Sequence, residues 1–78
     1  MQRKNILEVL SMSKQVGKVI KFDGFSGSLM DENEIIYIFS NDDLLSNDLK
    51  LNDSVSFEPE KFTTIDNTFY VARFVKKI

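Results

Sequence analysis

The side chains able to do chemistry in this chain are lysines, phenylalanines and carboxylates. Its 78 residues contain no cysteine, histidine or tryptophan, which removes disulfides, thiolate and imidazole metal sites, Cys and His nucleophiles and the His general base. No nucleophile stands in a pattern with a base, so neither catalysis nor a cofactor is expected. Binding chemistry remains. Lys18 and Lys21 on one segment, and Arg73, Lys76 and Lys77 on another, could follow phosphates, although strand lysines also keep sheet faces soluble and edges unpaired. Phe25, held between Gly24 and Ser26, has little to bury against and reads as a contact for a base or partner in preference to a plug under the barrel. The acids Asp31, Glu32, Glu34, Asp42 and Asp43 lack the spacing and turn glycine of a calcium loop, so they read as a solvated acidic surface with no metal.

Charge is unevenly distributed around a net of −2. Residues 1–21 carry Arg3, Lys4, Lys14, Lys18 and Lys21 against Glu8, and residues 61–78 carry Lys61, Arg73, Lys76 and Lys77 against Asp66; the middle holds ten acids against Lys50 alone. If the two terminal segments become neighbouring strands, one side of the fold is basic and the other acidic. A net negative chain is not a generic polyanion binder, because that affinity rests on Lys and Arg neutralising phosphates.

The length predicts one domain, close to the lower size at which a chain folds unaided. The longest apolar runs, such as residues 35–39, span a few residues. Nothing reads as a membrane span or a secretory signal, so the chain reads as soluble and cytoplasmic. Residues 1–14 are expected to be an N-terminal extension. Within it, Asn5 could cap a short helix carrying Ile6, Leu7, Val9, Leu10 and Met12, marginal unless it docks on a core.

From residue 15 to residue 78 the pattern is β. "VGKVIKF" alternates, "SGSLMD" resumes after Gly24 and Gly27, and "EIIYIFS" is β-branched and aromatic, which gives three strands in a meander. "DGFSG" joins the first two with the residues tight turns need, and "DENE" joins the second and third. In "SNDDLLSNDLKLNDS", Ser40 or Asn41 can cap one helical turn whose acids Asp42 and Asp43 suit its positive end, and Leu44, Leu45, Leu49 and Leu51 act as apolar plugs. "SVSFEPE" points Val55 and Phe57 inward before Pro59 ends it, and "TFYVARFVKKI" is the last strand. Phe22 and Phe57 are expected in the core. Tyr37, Phe39, Phe62, Phe69, Tyr70 and Phe74 cannot all fit inside so small a barrel, so at least two should be exposed.

Five short strands with a partly helical connection after the third is the layout of an oligonucleotide/oligosaccharide-binding (OB) barrel, here expected as an all-β antiparallel barrel. At this point the residues resemble the bacterial cold-shock proteins. "GKVIKFD" is similar to that family's Gly-Lys-Val-x-x-Phe-Asn, "IYIFS" to its Val-x-Val-His-Phe-Ser, "LKLNDSVSFE" to its Leu-x-x-Gly-x-x-Val-x-Phe-Glu, and "VARFVKK" to its closing Ala-x-Asn-Val strand. The resemblance implies a module for single-stranded RNA or DNA with little sequence preference, in which bases stack on aromatic side chains beside lysines. The expected nucleic-acid-binding residues are Lys21, Ser28, Met30, Ile36, Ile38 and Phe39, at the positions that the resemblance implies, together with Lys18 and Arg73 from their charge and Phe25 from its place in the glycine turn. The chain departs from the family where bases would stack: Lys21 replaces a tryptophan, Ser28 and Met30 replace two phenylalanines, Ile36 and Ile38 replace a phenylalanine and a histidine, and Asn52 replaces a turn glycine. Those departures leave a second reading open, a protein-interaction or regulatory module that kept the barrel and lost the ligand, with a protein partner or a second copy on an aliphatic face.

Overall fold

The computed structural model describes residues 14–78. The expected extension and its Asn5-capped helix therefore lie, apart from Lys14, outside the described residues. Five strands form a closed barrel in the order β1-β2-β3-β5-β4: β1 Gln15–Phe22, β2 Ser26–Asp31, β3 Ile36–Ser40, β4 Ser54–Thr63 and β5 Thr68–Lys77, with a single 3-10 turn, Asn41–Asp43, after β3. This is the OB-like, all-β architecture expected. One feature of the expectation is corrected: the barrel is not wholly antiparallel, because β3 meets β5 in parallel at Ile38↔Val71. A second correction concerns the termini. β4 lies between β1 and β5, pairing with β1 at Lys18↔Ser54 and with β5 at Val55↔Lys77, so β1 and β5 flank β4 and are not neighbouring strands.

Alternation decides what is inside. Val19, Leu29, Tyr37, Phe39, Val55, Phe57, Ala72 and Val75 point inward from the five strands and are buried with Leu49, while Phe22 packs against them half-buried. Two aromatic contacts knit this core: the Tyr37 and Phe57 rings lie 4.8 Å apart and Phe22 and Phe39 5.7 Å apart, in the tilted arrangements that aromatic pairs favour. Of the four leucine plugs, Leu49 is buried and Leu44 half-buried, whereas Leu45 and Leu51 face solvent.

Local chemistry sets the turns. Asp23 Oδ1 accepts hydrogen bonds from the Phe25 and Ser26 amides at 2.8 and 2.9 Å, and Gly24 supplies the positive φ of 97°. Those two amides, Ser26 first, hold the Asp23 carboxyl below its usual range. Between β2 and β3, Asp31 is buried and its Oδ1 accepts from Asn33 N and Ile35 N, each at 2.9 Å, while Tyr37 OH donates to Oδ2 at 3.2 Å. Burial, then the Asp31 charge, push the Tyr37 hydroxyl up to about 12. Asp43 is buried too: its Oδ2 accepts from Ser40 N at 2.9 Å and Ser40 Oγ at 3.2 Å, closing the 3-10 turn. Asp31 and Asp43 are thus internal fasteners, and the solvated acidic surface expected of them does not include either.

Pro59 does not end β4. The strand continues to Thr63 and pairs with β5 as far as Thr63↔Thr68, around a turn closed by Thr64 N to Asn67 O at 2.7 Å. Pairing of β4 with β1 stops at Phe57, so beyond that point one side of β4 is, among the described residues, an unpaired edge, where proline's missing N–H is tolerated. The result is a two-stranded arm that projects past the barrel and carries Ile65 fully exposed at its tip.

Candidate functional site

The register brings most of the sequence-selected residues onto one outer face. Lys21 on β1 stands opposite Ser28 on β2, Ser28 opposite Ile38 on β3, and Ile38 opposite Val71 on β5, which makes one row across four strands. A second row runs Lys18, Met30, Ile36. The rows lie on the same face because they sit two residues apart along β2 and β3, about 7 Å at strand spacing. On β1 they are three residues apart, and a bulge between Val19 and Lys21 absorbs the extra residue. Without that bulge Lys21 would point into the core with Val19. Ile36 and Ile38 are each about half exposed (51% and 50%).

Phe25 projects from the β1–β2 turn, 76% exposed, with its carbonyl accepting a 2.7 Å hydrogen bond from Asn41 N. Its ring is a free surface and not a plug under the barrel. Phe39, however, is 3% exposed. It sits opposite Gly27, the one β2 position with no side chain to compete for the interior, and its expected place on the binding face is corrected: it is a core residue. Arg73 is likewise not a free cation. Its Nη1 pairs with Asp43 Oδ1 at 3.0 Å and its Nε with Glu60 Oε1 at 3.1 Å; hydrogen bonds to Glu60 and then Asp43 hold the guanidinium charged more firmly than usual. Lys77 is shared between Asp48 and Asp53 at 3.5 and 3.6 Å. Among the described residues, no carboxylate lies within ion-pair distance of Lys18 or Lys21.

A scan against protein-family models and a search of curated proteins return no match for this chain. The site therefore rests on its own geometry.

That geometry also includes Phe62 and Phe69, which the sequence placed only among six aromatics too many for the interior. Phe62 and Phe69 face one another across the β4–β5 arm with ring centroids 5.5 Å apart and planes at 22°, a stacked pair about 40% exposed. Phe69 is two residues before Val71 on β5, so it lies on the outer face that carries Ile38. The signal was present: two phenylalanines placed symmetrically about "TTIDNT" must meet if that segment is a hairpin. A depression of about 440 Å³ lies between β3 and β5, lined by Ser26, Gly27, Ile38, Phe39, Ser40, Asp43 and Val71. A smaller one of about 260 Å³ adjoins it through Ser26, Gly27 and Ile38, and reaches Lys21, Asp23 and Ser28. Together they form a groove with Lys21 and the Asp23 carboxylate at one end, Asp43 at the other, and serines and apolar side chains between.

Proposed function

We propose that the chain is a single-stranded nucleic-acid-binding module that holds RNA or DNA on the outer face of β1, β2 and β3. The observation that carries this reading is the row Lys21, Ser28, Ile38, Val71, in which a lysine with no carboxylate at ion-pair distance among the described residues leads into a largely apolar groove. Lys18 in the next row offers a second phosphate contact. Phe25 at one end of the face and the stacked Phe62 and Phe69 on the arm offer exposed π surfaces, and stacking tolerates any base. The aliphatic centre, Met30, Ile36 and Ile38, supplies contact area without sequence preference.

Fluorescence anisotropy with a labelled hexanucleotide tests the reading. Two lysine contacts to a single strand give a slope of log affinity against log salt of about −1.4, and removing either lysine should lower its magnitude by about 0.7. Absence of binding at low salt would overturn the proposal. A second reading, docking of a protein or of a second copy on the same face, is favoured by a specific observation: Arg73 and Lys77 are already neutralised, while Met30, Ile36, Ile38 and Val71 form an apolar centre. Sedimentation equilibrium separates the two, since self-association predicts a mass that rises with concentration and falls on Ile38→Lys substitution.

A further inference from the structure

The depression between β3 and β5 combines features that a purely sequence-tolerant surface does not need. Its apolar lining residues are Ile38, Val71 and Phe39, and its polar ones are Ser26, Ser40 and Asp43. Its volume, about 440 Å³, lies within the range of small-molecule sites. Asp43 is 8% exposed and accepts three hydrogen bonds, from Ser40 N, Ser40 Oγ and Arg73 Nη1. A carboxylate has about four acceptor positions, so one remains for a donor brought into the depression. The adjoining hollow holds Lys21 together with Asp23, which places a cation, partly offset by that carboxylate, beside the entrance.

We infer that this depression seats one nucleobase of the bound strand and selects a base with an exocyclic amine over one with a carbonyl at that position. The inference rests on the nucleic-acid reading above and adds a specificity to it. The amine of cytosine donates to Asp43; the O4 of thymine or uracil in the same place would set an acceptor against a carboxylate, with no proton between them. Ile38 and Val71, side by side on paired strands, pack against one face of the ring, and the serines bind whichever edge groups remain. The groove then reads one base while the rest of the face reads none.

The test uses labelled thymidine hexamers, one all thymine and six carrying a single cytosine at successive positions. One cytosine placement should bind about fivefold more tightly than the all-thymine strand, the low end of what a good base-edge contact contributes. Asp43→Asn, whose amide can donate to a carbonyl, should abolish or invert that preference. Because Asp43 also holds the 3-10 turn, Val71→Phe provides a second variant: it fills the depression from an outward position and should bring the best cytosine strand and the all-thymine strand to within twofold of one another, whatever it does to the affinity of both. If every placement binds within twofold of all-thymine, the base-reading inference is wrong and the nucleic-acid face stands. If no hexamer binds, both fall together.

Discussion

Replacing Gly27 by alanine should cost this fold several kcal/mol, and the reason lies in the bulge that turns Lys21 outward. Gly27 pairs with Phe22 on one side and Phe39 on the other. A Cβ built there would overlap the Lys21 carbonyl oxygen and stand 2.9 Å from Phe39 Cζ, against an ordinary contact of 3.4–4 Å. The carbonyl belongs to backbone, so relief requires β1 to lift from β2 by about 1 Å. That movement breaks ladder hydrogen bonds near Phe22 at about 1 kcal/mol each and adds about 1 to 3 kcal/mol of overpacking, together about 3 to 5 kcal/mol. A domain of this size has about 3 to 10 kcal/mol of stability, so much of it is at risk. Gly24→Ala is the internal control: nothing lies within 4 Å of its added Cβ, and only the left-handed φ of 97° resists it, at about 1 to 2 kcal/mol. Urea titrations followed by far-UV circular dichroism would give both values. Should Gly27→Ala lose less than Gly24→Ala, the close approach of β1 to β2 at the bulge is not the constraint argued above.

Further outcomes follow from the same structure. Tyr37 is buried with its hydroxyl pushed up to about 12; its folded pKa exceeds the unfolded value of about 10, so the stability it contributes is complete below pH 10 and is lost as pH rises towards 12, by about 2 kcal/mol. Tyr37→Phe should flatten that alkaline loss while adding a constant cost from the unpaired Asp31 oxygen, and an unchanged alkaline slope in the variant would refute the assignment. Phe74 and Phe69 are exposed phenylalanines on the same strand, but Phe74 has a φ of +53°; Phe74→Gly should be more favourable than Phe69→Gly by at least about 1 kcal/mol, because only the first relieves left-handed strain. A double-mutant cycle on Phe62 and Phe69 should show a coupling of about 0.5 to 1.5 kcal/mol, and additive single substitutions would show that the stacked pair does not hold the arm together.

The strands were legible in the sequence where alternation and turn chemistry agreed. "SGSLMD" is β2 from end to end, the aspartate-glycine turn is closed by Asp23 as its composition demands, and Asn52, in place of a turn glycine, takes a φ of 72°. Pro59 misled because a proline argues against a paired strand only when both neighbours are present, and the loss of β1 as a neighbour beyond Phe57 depends on barrel closure, a property no local window contains. For the site, β2 and β3 alternation placed Ser28, Met30, Ile36 and Ile38 together. Phe39 was misjudged because its direction depends on counting from Tyr37, one residue out of phase with Ile38. Arg73 was misjudged because its partners Asp43 and Glu60 are distant in the chain. Charge counted along a sequence includes cations that the fold has already neutralised.

The parallel junction of β3 and β5 is the seam along which this barrel should breathe. β3 and β5 pair at Ile38↔Val71, and after the 3-10 turn Leu44 and Leu45 meet Val75, whereas β1–β2 and β4–β5 are bonded along most of their lengths. Native-state hydrogen exchange should therefore find low-energy openings at Ile38 and Val71, well below the energy of global unfolding. Anything seated across those two side chains would act as a clasp on the seam, and amides far around the barrel would exchange more slowly in its presence.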